Sequence, residues 1–205
     1  MSDFYKQIRG HDVEFFEREH LYLVDGIITP SITQILNVKF SGKYDGIPAD
    51  VLEAASKKGV ALHAAIEDYA KTGIVPERGE VPDEVFNFIW LQRCLKFDII
   101  DSEVPVILFH GGEPFAAGRL DLVLRNKHGE IGGADIKRTA TLDKTYLAYQ
   151  LNLYRVAYAQ SYGLTWEFLR GIHLRNTTRK IVDIPINQKL ADEIIAMYQK
   201  GVSNG

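Results

Sequence analysis

Residues 103–137 read EVPVILFHGGEPFAAGRLDLVLRNKHGEIGGADIK. Runs rich in β-branched and apolar residues occupy 103–110, 115–125 and 132–137, separated by Gly111-Gly112 and by 126–129. Each run has strand length and each separator is a turn. Turns this short can join only antiparallel neighbours, so the segment predicts a three-stranded meander.

Downstream, Leu147, Leu151, Tyr154 and Tyr158 recur at helical spacing and predict a helix over 144–162. A strand follows at 166–174, then a turn at 175–179, a strand at 180–186 and a helix at 188–200. Residues 201–205 read as a frayed tail.

Upstream, Pro82 opens a helix predicted to reach residue 97, with Phe86, Ile89, Trp90 and Leu95 expected to be buried. The first long helix is expected over 48–71, capped by Asp50 and stopped by Gly73. Leu52, Ala55, Leu62, Ile66 and Tyr69 supply its apolar stripe. Gly59 inside that helix costs about 1 kcal/mol relative to Ala, which predicts a close approach to its backbone. Before it, strands at 13–16 and 20–24 flank a charged turn at 17–19, Asp25-Gly26 turns the chain, and 27–29 follows. Ser31 and Gln34 form a capping box for a short helix over 32–38. From the first long helix on, the order is α-α-β-β-β-α-β-β-α. That order predicts an α/β or α+β fold with helices flanking a central mixed sheet, plus a small N-terminal β element.

At 205 residues, 46% apolar and 25% charged, one globular domain is expected, with 1–47 an elaboration and 48–200 the core. The single cysteine, Cys94, excludes a disulfide framework, a thiolate zinc site or an iron–sulfur cluster held within one chain. No apolar run approaches the ~18 residues of a membrane span, and MSDFYKQIRG lacks the apolar segment of a secretory signal. The expected location is the reducing cytosol. The net charge is −3, unevenly spread: residues 1–136 carry 14 Lys and Arg against 22 Asp and Glu, and residues 137–205 carry 10 against 5. An acidic front and a basic back suit a carboxylate metal site beside a phosphate-binding surface.

Asp121 lies in the apolar strand Gly118-Arg119-Leu120-Asp121-Leu122 and Asp135 in the neighbouring Gly133-Ala134-Asp135-Ile136-Lys137. A carboxylate in such a strand is expensive unless paired or bound to a cation. Asp135 and Lys137 are two apart and share a strand face. Gly59, His63 and Glu67 form one helical stripe at i, i+4 and i+8, and Gln150 and Tyr154 repeat the spacing on the later helix. Taken singly, each has a bland alternative: an Asp–Lys pair at a sheet edge, a hydrogen-bonded helical histidine, an aromatic packed into the core.

In order, the set is Gly-x3-His-x3-Glu, Glu103, Gly-Arg-Leu-Asp, Asp-Ile-Lys and Gln-x3-Tyr. It resembles the PD-(D/E)XK nuclease superfamily, in its RecB-like exonuclease branch, which includes phage recombination exonucleases and the mitochondrial genome-maintenance exonuclease. The likeness runs from Pro30 to about Tyr158. It implies a restriction-endonuclease-like core of order α-β-β-β-α-β. It also implies metal ligation by His63, Asp121, Asp135 and the Ile136 carbonyl, with Lys137 as the catalytic lysine. Gln150 and Tyr154 would complete the catalytic set as the helix motif that contacts DNA. Glu67 and Glu103 match acidic positions of less fixed role, as support or as ligands to a second cation. Asp135 stands where many members carry Glu, and the cysteines of the iron–sulfur members are missing.

The function so implied is a Mg²⁺- or Mn²⁺-dependent DNA exonuclease in phage or bacterial recombination, repair or processing, with a helicase or annealing protein as a possible partner. Carboxylates favour either ion and the imidazole tilts the site toward Mn²⁺. Arg138, Lys144 and Arg155 are the candidates for the phosphate track. The alternatives are a catalytically silent DNA- or protein-binding module on the same fold, and a metal-dependent enzyme acting on a small molecule.

Overall fold

The computed structural model describes residues 4–43 and 45–203. It has a mixed α+β architecture of two sheets and five helices among the described residues.

The first sheet runs β1 (Phe4–Ile8), β2 (His11–Phe16), β3 (Leu21–Val24) and β4 (Ile27–Thr29), antiparallel in chain order. β1 was not expected from sequence. Its Lys6 and Gln7 interrupt the apolar pattern, and pairing with residues 11–15 of β2 is what makes it a strand. The inner face of this sheet (Ile8, Val13, Phe15, Tyr22 and Val24) packs on Ile107 and Ala117 of the larger sheet. The chain then passes along that sheet, with Ala117 N–H donating to Pro30 O at 3.0 Å. Helix α1 (Ile32–Phe40) begins there with the expected capping box: Ser31 Oγ accepts from Gln34 N–H at 3.0 Å, and Gln34 Oε1 accepts from Ser31 N–H at 2.7 Å.

Helix α2 (Ala49–Thr72) departs from expectation at its start and middle. Pro48, not Asp50, is the N-cap, and Asp50 lies in the first turn, where its charge suits the positive end of the helix dipole. Leu62 and Ile66 are buried but Ala55, Val51 and Val60 are exposed, because the N-terminal half of the helix overhangs a cleft rather than the core. A Cβ at Gly59 would meet nothing within 4 Å, so no close approach explains this glycine. Helix α3 (Glu84–Leu95) buries Val85, Phe88, Ile89 and Leu91. Trp90 and Leu95 were expected inside but are 46% and 45% exposed. The helix turns its Val85–Phe88–Ile89 face inward, and position 90 falls beside that face.

The second sheet has the order β5 (Asp98–His110), β6 (Glu113–Arg125), β7 (Ile131–Lys137), β8 (Phe168–Leu174) and β9 (Arg179–Ile184). β5, β6 and β7 form the predicted antiparallel meander. β7 and β8 are parallel, joined through α4 (Lys144–Tyr162), and β9 returns antiparallel to β8. Two apolar layers cover the sheet. One joins α1, α4 and α5 (Gln188–Ser203) to β5 and β6. The other joins α2 and α3 to β7 and β8. Asp143 caps α4, accepting from Tyr146 N–H at 2.9 Å. β7 needs its glycines: a Cβ at Gly133 would collide with the Trp166 indole.

Candidate metal and catalytic site

The site forms where β6 and β7 part. Their ladder runs from Arg125↔Ile131 to Leu122↔Ala134. At the next position the Asp121 side chain takes over, its Oδ2 accepting from Ile136 N–H at 2.6 Å. Beyond that point β7 pairs with β8 alone, and Asp135, Ile136 and Lys137 line the opened edge. Ile136 thus contributes a backbone N–H that fixes one Asp121 oxygen and leaves the other directed at the cleft.

Three donor groups converge there. His63 Nδ1 lies 3.6 Å from Asp121 Oδ1 and 3.7 Å from Glu103 Oε1. One ligand atom from each of His63, Glu103 and Asp121 lies within 4.8 Å of the others. Neighbouring donors around an ion bound at about 2.0–2.2 Å lie roughly 3–4 Å apart, so the spacing fits a small divalent cation. These pairs are longer than hydrogen bonds and, with His63 protonated, are ion pairs between the imidazolium and the two carboxylates. Glu103 is held in place from two sides. Its φ of 50° is the left-handed region in mid-strand, a strained conformation for a residue with a side chain. Its Oε2 accepts from Arg119 Nε at 2.9 Å, leaving Oε1 to His63.

Asp135 lines the same cleft but turns to Lys137. Lys137 Nζ donates to its Oδ1 at 3.0 Å and lies 2.7 Å from Oδ2. Oδ2 has no hydrogen bond, although the side chain is only 4% exposed. The Lys137 ammonium beside it is the cation that offsets the cost of burying this oxygen.

The electrostatics point the same way. Burial pushes Asp135 up to about 6, helped by the Asp121 charge and opposed by Lys137. Burial also raises Asp121, with Glu103 adding to the effect and His63 and Lys137 opposing it. Burial opposes the His63 charge, but Asp121, Glu103 and Asp135 outweigh it and lift the imidazole to about 9. The Lys137 ammonium is likewise disfavoured by burial, yet Asp135 and Asp121 hold its pKa above the ordinary value. The cleft is a carboxylate nest that demands positive charge.

Other expected residues divide. Glu67 lines the cleft, but its carboxylate is engaged by Lys71 at 2.5 Å and stands outside the donor group. Gln150 reaches the cleft wall, buried, with Oε1 lacking a partner. Tyr154 packs its ring against the backbone of Gly118, and burial raises its hydroxyl pKa well above 10, so it is a neutral wall of the cleft. Arg138 is clamped by the buried Glu84, with Nη2–Oε1 2.7 Å and Nε–Oε1 2.8 Å, and faces a neighbouring pocket. Lys144 is exposed at the start of α4, outside the residues that line the cleft. Arg155 departs from the expected phosphate track: it points to Gln188 Oε1 at 3.5 Å, on the side of α4 that packs α5.

Sequence reasoning missed Arg119, which stands two residues before Asp121, the strand spacing that shares a face. It also missed the roof of the cleft, where Phe15, His20 and Tyr22 of the N-terminal sheet face the site. Nothing local in residues 11–24 signals that placement.

No protein-family model matches the chain, and no curated protein matches it. Among solved structures, the crystal structure of SSO0001 is similar at 17% identity and a TM-score of 0.44, covering 82% of this chain and 76% of that one. At that distance the likeness carries no argument about function.

Proposed function

We propose that the chain is a divalent-metal-dependent deoxyribonuclease with a restriction-endonuclease-like core, acting as an exonuclease on DNA. The observation that carries the reading is the meeting of His63, Glu103 and Asp121 with the Asp135–Lys137 pair in one cleft, drawn from α2, β5, β6 and β7. Phosphodiester hydrolysis needs an activated water, neutralised phosphate charge and a stabilised leaving oxygen. His63, Glu103 and Asp121 would hold Mg²⁺ or Mn²⁺, with Asp135 Oδ2 adjacent. The bound ion would supply Lewis acidity and an acidified water.

The chain's own groups do the rest. Lys137 is a cation at neutral pH, so it orients the attacking water and stabilises charge developing on the phosphate, rather than removing a proton. Asp135 fixes the ammonium in place. Arg119 locks the Glu103 rotamer. Gln150 offers an amide to the strand at the cleft wall.

Degradation of end-labelled single- and double-stranded DNA with Mg²⁺, Mn²⁺, Ca²⁺ and chelator tests the reading. Cleavage is expected with the first two, binding without efficient turnover in Ca²⁺, and none in chelator. Undiminished cleavage in excess chelator refutes it.

A further inference from the structure

Beside the acidic cleft lies a region of the opposite character. Lys58 of α2, Arg138 after β7, and Arg175 with Thr177 in the β8–β9 turn line one pocket. A second pocket, lined by Phe86 and Trp90 of α3 with Arg78 and Arg179, shares Asn176 with the first. Asn87 ties the two together. Its Nδ2 donates to Arg175 O at 2.9 Å, and its Oδ1 lies 3.5 Å from Arg179 Nη1. The turn carrying Arg175 is therefore braced against α3, between the basic pocket and the aromatic one.

The composition of this edge is specific. It holds five cations against two carboxylates, Glu84 and Asp83, which pair with Arg138 and Arg78. Glu84 is buried and grips Arg138 by Nε and Nη2, which orients the guanidinium toward the pocket. Arg179 Cζ stacks 4.0 Å from the Trp90 ring centroid, while the indole remains 46% exposed. Arg78 lies 4.6 Å from the Phe86 centroid. Trp90 thus packs against the Arg179 guanidinium and leaves about half of its surface to solvent, outside the apolar face that α3 buries. Cations interleaved with aromatic rings, here the exposed Trp90 and the half-buried Phe86, are the chemistry that binds single-stranded nucleic acid, phosphates on the cations and bases on the rings.

Placement links the edge to the site. Lys58 precedes His63 by five residues on α2, about 7.5 Å along the axis. Arg138 directly follows Lys137. We infer that the edge from Lys58, Arg138 and Arg175 to Trp90 and Arg179 is a track for a single-stranded segment of nucleic acid leading to or from the cleft. Lys58, Arg138 and Arg175 hold backbone phosphates, and Trp90 stacks a base. The inference rests on the nuclease reading for its direction, but its binding consequence is separate from cleavage.

The test uses the full chain, a sixteen-residue oligodeoxythymidylate and a blunt hairpin duplex, in Ca²⁺. The protein has two tryptophans, and Trp166 is 2% exposed inside the core, so quenching by the oligonucleotide reports on Trp90. The single strand should quench the emission, and Trp90→Phe should remove most of that quench. Trp90→Ala should bind about tenfold more weakly. Lys58→Gln and Arg175→Gln, both at exposed positions, should each reduce the slope of log affinity against log salt by about 0.7. Turnover of a small phosphodiester such as bis(p-nitrophenyl) phosphate should not change in any of these variants. An unaltered salt slope and affinity in the variants overturns the track, as does equal quenching by the duplex or failure of the wild type to bind the single strand. Absence of metal-dependent cleavage overturns the nuclease reading instead, and leaves these binding readouts standing.

Discussion

The cleft and the edge beside it are built from the same elements and carry opposite charge. The cleft gathers Glu103 of β5 with Asp121 and Asp135, where the β6–β7 ladder parts, and it holds all three largely out of water. The edge displays Lys58, Arg175 and Arg179 on a helix overhang, a hairpin turn and the first residue of β9, all exposed. Burial makes charge expensive, so the cleft must hold a cation or protons. Exposure makes charge cheap and screened, so the edge can attract a polyanion without needing one to fold. On the proposed reading, chemistry belongs to the first region and strand capture to the second.

The sharpest way to break this division is Lys137→Gln. It should lower single-turnover cleavage by roughly 10³-fold while the affinity for single-stranded DNA changes little. Its removal also strands the buried Asp135 carboxylate, so the melting temperature should fall in the absence of metal. Near-normal cleavage by this variant would overturn the proposed mechanism.

Asp121→Asn keeps shape and loses charge. Metal affinity, measured by calorimetry, should fall by more than about 100-fold and turnover with it. Arg119→Gln acts one step away by freeing Glu103, and should cost about 10- to 100-fold in metal affinity. If Arg119→Gln binds metal normally, Glu103 is not a ligand and its strained backbone needs another explanation.

The pH dependence has a definite sign. His63 is raised from 6.5 to about 9 in the metal-free fold, so protonation stabilises the folded state. That contribution is fully present below pH 6.5 and is lost as pH rises through 9. Asp135, raised from 3.8 to about 6, has the same sign over a lower window, its folded state losing stability as pH climbs from about 4 to 6. Metal binding requires the neutral imidazole, so metal affinity should rise about tenfold per pH unit up to about 9. Thermal melts across pH 5–9.5, in chelator and in Mn²⁺, test both statements. A chelated protein that becomes more stable between pH 7 and 9 contradicts the assignment.

The smallest effect expected is at Gly59. Because a Cβ there meets nothing within 4 Å, Gly59→Ala should stabilise α2 by about 0.5–1 kcal/mol. Gly59 lines the cleft, so the same change should raise KM for DNA while leaving turnover at saturation nearly intact. A higher melting temperature with unchanged KM would mean that substrate does not pass over this turn.

Much of this was written locally. The meander of β5, β6 and β7 follows from apolar runs and short turns, the 144–162 span of α4 from the spacing of Leu147, Leu151, Tyr154 and Tyr158, and the Ser31–Gln34 box from its spacing. Asp135 and Lys137 share a face because strand side chains alternate, and the structure pairs them. Those are short-range regularities of backbone geometry, and sequence spacing carries them.

What spacing could not carry depends on how strands part and layers overlap. The central position of Glu103 comes from a left-handed residue in β5 and from Arg119 across the sheet. The absence of Asp135 from the His63–Glu103–Asp121 group is likewise a matter of how the strands are placed where the β6–β7 ladder opens, not of spacing along β7. Trp90 has the hydrophobicity of a core residue, and only the rotation of α3 against the sheet left it in solvent. Residue types and their order thus determined which chemistry is available. The tertiary structure decided which groups meet, because contacts between distant segments are set by strand register, twist and helix rotation, none of which a single stretch of chain encodes.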